Sequence, residues 1–112
     1  MKIAERDILA ADPSVDAICF HAHAAVEKWL KASIVLHART FPPRTHELPD
    51  LFHRQPVAIG GSVAVRDACA VLVALYPKSR YPEAGMPTFD EATTAVEAAR
   101  VVRDVVLPLL GE

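Results

Sequence analysis

Apolar residues along this chain recur mainly at spacings of three and four, the period of one helix face, and no window sustains the alternation of a strand. The pattern breaks at Asp12-Pro13-Ser14, Pro42-Pro43, Pro56, Gly60-Gly61 and a run from Pro77 to Pro87. Between the breaks it predicts a short helix over residues 2–11, then a long one from about 13 to 39 with Asp12 as N-cap and Pro13 in the first turn. The expected inward stripe of the long helix is Ile18, Ala22, Ala25, Trp29, Ala32 and Leu36. Pro42-Pro43 ends it, and Thr45 is the expected cap of a short third helix through about 54, in which Pro49 points to either a single distorted turn or an early, proline-tolerant start. Ser62 caps a fourth helix to about Leu75, with Val65, Ala68, Leu72 and Leu75 inward. The last helix opens on a capping box, Thr88-x-x-Glu91, with Asp90 at the positive end of the dipole. Phe89, Ala92, Val96, Ala99, Val102, Val106 and Leu109 trace its stripe. No two segments repeat. The expected fold is all-α, an antiparallel up-and-down bundle of four to five helices whose short connections make sequence neighbours pack together.

Composition narrows this picture. Of 112 residues, 52% are hydrophobic but only 6% aromatic, so the interior is built mainly from Ala, Val and Leu. A chain of this length has one core, and residues 1–112 are expected to form one domain. So much apolar surface on so small a domain points to a homodimer. The formal charge of −2 leaves no whole-molecule attraction for nucleic acid or anionic membrane, so any such binding must be local. The opening MKIAERDILAADPS is too charged for a secretory signal, and the longest apolar run, Ala68 to Tyr76, is far short of a bilayer span. A cytoplasmic location is expected. Cys19 and Cys69 sit among apolar neighbours without zinc or redox spacing and read as buried thiols. No metal and no cofactor are expected.

Candidate chemistry lies in three places. His21 and His23, two apart on a helix, point about 200° from each other and cannot grip one metal; one is expected to face the bundle or a dimer seam, the other solvent. Residues 28–46 hold Lys28, Lys31, Arg39 and Arg44 with no acidic residue, and His37 and His46 add possible charge. Just before this tract, Glu27 is one turn from Lys31 and placed to pair with it on the outer surface. Arg44 and His46 lie on a proline-stiffened loop where free backbone N–H groups at a helix start would add to the attraction for a phosphate. The same residues also suit a plain cap at Thr45 with Arg44 paired to Glu47 or Asp50. The third place is Tyr76-Pro77-Lys78-Ser79-Arg80-Tyr81-Pro82, read as a loop whose rings and cations suit stacking on a base, or equally loop packing. No Ser-His-Asp order, glycine-rich phosphate loop, HExxH or paired carboxylate is present, which removes the ordinary hydrolase and nucleoside-triphosphatase templates.

Three phrases, Cys19-Phe20-His21-Ala22-His23-Ala24-Ala25-Val26-Glu27-Lys28-Trp29-Leu30-Lys31-Ala32, then Pro43-Arg44-Thr45-His46-Glu47-Leu48, then Ser79-Arg80-Tyr81-Pro82, resemble the HEPN domain family in content, order and spacing. The resemblance spans nearly the whole chain. It implies a bundle of four or five helices, usually dimeric, often encoded beside a minimal nucleotidyltransferase with which it forms a toxin-antitoxin pair; many members are, or descend from, metal-independent ribonucleases. Glutamines common in the family are replaced here by His23 and Ala24. The Arg-then-His pair of RNase-competent relatives, near the start of the last long helix, has no counterpart, since no histidine follows residue 53. Arg39 and His46 match its spacing but straddle the proline loop. Carried over by resemblance are Glu27, Lys28, Arg44, His46, Arg80 and Tyr81. The implied function is a module that docks a nucleotide, an RNA segment or a nucleotidyltransferase partner in a cleft containing Arg44, His46, Arg80 and Tyr81. The alternative is a metal-independent ribonuclease in which His46 polarises the attacking 2′-OH and Arg44 or Arg39 holds the developing charge, leaving a 2′,3′-cyclic phosphate.

Overall fold

A computed structural model describes residues 15–80 and 87–111, with side chains at 15–75 and 87–111. The helix expected over 2–11, with the cap at Asp12 and Pro13, lies outside the described residues. Five helices follow in order: α1 (Val15–Ala38), α2 (Leu48–His53), α3 (Val57–Gly60), α4 (Val63–Arg80) and α5 (Phe89–Leu109). No strand occurs among the described residues. The long helices α1, α4 and α5 pack pairwise as a bundle, and the short α2 lies against α1 and α4. The all-α bundle expected from the periodicity is the fold observed.

One cluster of buried side chains joins all five helices. On α5, Ala92, Ala95, Ala98 and Ala99 bring its backbone close to its neighbours, while Val96, Val102 and Val106 fill the space between. Leu48, Leu51 and Phe52 anchor α2, each burying a side chain worth about 2 kcal/mol. Gln55 adds a polar tie: its Nε2 donates to the carbonyls of Leu30 in α1 and Leu51 in α2, both at 2.9 Å. Gly61 closes α3 where a β-carbon would stand 3.0 Å from the Val57 carbonyl oxygen, a tight approach that any side chain there would have to relieve by a small shift.

The helix ends follow local chemistry. Ser62 Oγ accepts from the Val65 N–H, and Thr88 and Glu91 form the reciprocal capping box, each side chain accepting from the other residue's N–H. On α4 the expected stripe Val65, Ala68, Leu72 and Leu75 is buried, joined by Cys69.

Four expectations need correction. The stripe read for α1 is rotated by roughly 80° from the face that is buried, taking 100° per residue. The core takes Ile18, Cys19, Ala22, Val26, Leu30 and Ile34, while Ala32 and Leu36 are exposed and Ala25 and Trp29 half-buried. α1 is apolar around most of its circumference, so spacing does not choose a face; the branched Val26, Leu30 and Ile34 gain more from burial than alanines do. On α5, Phe89 and Leu109 are exposed, because each lies at a helix end. The cap of α2 is Glu47, whose side chain makes no cap hydrogen bond; Thr45 Oγ1 instead accepts from the Glu47 N–H two residues on. Finally, the backbone of residues 76–80 is helical rather than loop, α4 continuing through Pro77. A proline removes one ladder bond, which the buried turn of Leu72 and Leu75 before it withstands.

Candidate phosphate-facing surface

The basic tract begins on α1 and continues into the segment after it. α1 ends at Ala38 and Arg39 takes a left-handed backbone, φ 51°. Residues 39–47 then run back along the helix. The return is fixed by one contact: His46 Nδ1 lies 2.7 Å from Glu27 Oε2 in the middle of α1. An ionised carboxylate only accepts, so Nδ1 carries the proton and donates, leaving Nε2 free at a side chain 72% exposed. Lys31 Nζ donates to the same Oε2 at 3.1 Å, the pairing expected from the one-turn spacing.

Glu27 is thus the hub. Its side chain is 18% exposed, and burial by itself pushes its pKa up. The hydrogen bonds from His46 and Lys31, with the charges behind them, outweigh that push and hold the carboxyl below its ordinary value of 4.5. It stays ionised at neutral pH and keeps its two donors in place.

Arg44 sits two residues before the anchor, exposed, with no ion pair or hydrogen bond among the described residues. Lys28, next to Glu27, is likewise exposed. Neither acid proposed as a surface mate for Arg44 engages it: Asp50 takes Arg54 instead, Nε to Oδ1 at 3.0 Å and Nη2 to Oδ2 at 3.3 Å. Around the anchor, three cations (Lys28, Lys31, Arg44) stand against two carboxylates (Glu27, Glu47). A phosphate site at a helix N-terminus does not form: α2 has six residues, and His46 lies outside it behind Glu47. The usable donors are side chains.

Arg39, His37, His23 and His21 do not share the Glu27–His46 contact. Arg39 follows the end of α1, whose last residue, Ala38, is about 16 Å along the axis from Glu27 at 1.5 Å per residue. His37 Nδ1 lies 2.9 Å from the carbonyl oxygen of the buried Ser33, which occupies its N–H locally. His23 is buried and His21 half-buried, edge-on to Phe20. Arg80 is the last residue of α4, and Tyr81 lies outside the described residues. Among the described residues no three His, Cys, Asp or Glu side chains group as metal ligands, and no helix is long and apolar enough to cross a membrane. Both cysteines are buried and unpaired.

Gln55 and Phe41 escaped the sequence reading. Gln55 belongs to no motif, and Phe41, beside two prolines, falls on no periodic stripe.

Comparison with known proteins agrees with the fold. The model of the HEPN domain family matches residues 1–109 of the 112. No curated protein and no solved structure matches the chain significantly.

Proposed function

Since the chain belongs to the HEPN domain family, a family of nucleotide- and RNA-related domains, we propose that it is a binding module. It presents Arg44, Lys28 and His46 to the phosphate of a nucleotide or RNA segment. The observation that supports this most is the 2.7 Å contact between His46 and Glu27, which folds a loop bearing an unpaired arginine back onto a helix bearing an unpaired lysine. Cations held on a fixed frame lose less freedom on meeting a phosphate than the same cations on a free loop. Arg80 and Tyr81, carried over by the resemblance, are further ligand contacts in this reading. The module is cytoplasmic, works as a homodimer of one-domain chains, and pairs with a minimal nucleotidyltransferase in a toxin-antitoxin-like system.

A second reading is favoured by one detail. His46 is oriented by a carboxylate at Nδ1 with Nε2 outward, the arrangement an acid-base histidine requires. In that case the chain is a metal-independent ribonuclease with Arg44 or Arg39 stabilising the developing charge.

One experiment distinguishes them. Purified protein is incubated with single-stranded and structured RNA in EDTA, and cleavage and binding are followed for wild type, His46→Ala and Arg44→Ala. Binding without cleavage, weakened in Arg44→Ala, is the expected result. Cleavage that disappears in His46→Ala establishes the ribonuclease, and absence of both activities refutes the RNA-directed reading.

A further inference from the structure

We propose that Phe41 is a platform on which one unpaired base of a single-stranded RNA stacks. This rests on the RNA-directed part of the reading above and adds to it the form of RNA that the surface takes. Phe41 lies on the connection between α1 and α2 and is 90% exposed. A scattered exposed apolar residue is ordinary; this ring is set among cations. Arg39 comes two residues before it, Arg44 three after and His46 five after, all of them exposed, and residues 28–46 hold no carboxylate.

The chain between ring and arginine sets their spacing. Pro42 and Pro43 follow Phe41 directly, and neither lies in a helix. Each proline keeps the residue before it out of the helical region, so Phe41 and Pro42 are extended; at about 3.1 Å per residue, the Phe41 backbone stands about 9 Å from that of Arg44. The far end of the connection is tied to α1 by the 2.7 Å contact of His46 with Glu27. Whatever covers the ring must therefore offer a flat apolar face and, a short step away, a negative charge. A nucleotide does both, its base lying on the ring while its own or the next phosphate meets Arg44. A second copy of this chain would instead bring like charges together, Arg39 and Arg44 against their equivalents. In a duplex the bases are stacked on one another, so an unpaired base is the one with a face to give.

The test measures binding of a short single-stranded RNA, and of its blunt duplex, by fluorescence anisotropy at fixed salt. Wild type, Phe41→Leu, Phe41→Trp and Arg44→Ala are compared. Phe41→Leu keeps an apolar side chain without a ring, and it is expected to weaken single-strand binding about 10-fold, the effect of losing one stacked base, with duplex binding unchanged. Phe41→Trp is expected to retain affinity, and its emission, above the Trp29 signal of wild type, to be quenched on binding. Single-strand binding that falls in Arg44→Ala but not in Phe41→Leu overturns the platform and leaves the phosphate reading standing. So does a Phe41→Trp signal that RNA leaves unquenched, or a Phe41→Leu variant whose sedimentation without RNA shows that the ring held two copies together. A wild type that binds neither RNA refutes the RNA-directed reading and the platform together.

Discussion

Replacing Glu27 by glutamine tests the hub of the surface. The amide keeps the shape of the carboxylate but loses its charge, and with it the charge-assisted part of the bonds from His46 and Lys31. Such bonds contribute about 1.5–3 kcal/mol when shielded and about 0.2–1 kcal/mol when exposed. Glu27 and Lys31 are shielded, at 18% and 19% side-chain exposure, whereas His46 is 72% exposed. Taking the lower end for each, the expected loss is about 2 kcal/mol, which lowers the melting temperature of a chain this size by about 8 °C. The sign with pH follows from the lowered pKa of Glu27. Its contribution is present above the ordinary value of 4.5 and is lost as pH falls through the lower folded value. Thermal melts by circular dichroism, at pH 7 and again at about pH 3, should therefore show a gap between wild type and Glu27→Gln that closes in acid. No gap at neutral pH, or one that persists undiminished in acid, would refute the carboxylate as the anchor.

Other outcomes follow from the helix ends and the core. Arg39→Gly removes a β-carbon from a left-handed position and should raise stability by about 1 kcal/mol, seen as a higher urea midpoint at unchanged slope. Thr88→Ala breaks the capping box of α5 and should cost about 1 kcal/mol, measured the same way. Burial pushes the Cys69 thiol up to about 11, so a thiol reagent at pH 8 should label it only as fast as the chain opens, and urea should accelerate labelling. Rapid labelling of the native protein would contradict that burial.

How much of this was legible in the sequence depended on how one-sided each segment is. α4 and α5 have polar residues opposite their apolar stripes, so period alone identified their inner faces, apart from the ends at Phe89 and Leu109. The same test failed on α1, where small and branched apolar residues surround the helix and the core selects by size. Capping was readable where the box is complete, at Thr88 and Glu91, and misread at Thr45, where a hydroxyl two residues too early makes a turn rather than a cap. Both Glu27 and His46 were identified, but their contact spans 19 residues of sequence and leaves no local periodic sign. Proline marked α2's start correctly and α4's end incorrectly, because one missing ladder bond is outweighed where the preceding turn is buried.

The central claim is that the Glu27–His46 contact brings Lys28 and Arg44, distant in sequence, onto one phosphate. A double-mutant cycle measures this directly: affinity for a short single-stranded RNA by fluorescence anisotropy, at fixed salt, for wild type, Lys28→Ala, Arg44→Ala and the double variant. Convergence on a shared phosphate predicts that each single variant weakens binding and that the losses depart from additivity by about 0.5 kcal/mol or more. Losses that add within about 0.3 kcal/mol, or an Arg44→Ala variant that binds as wild type does, would contradict it.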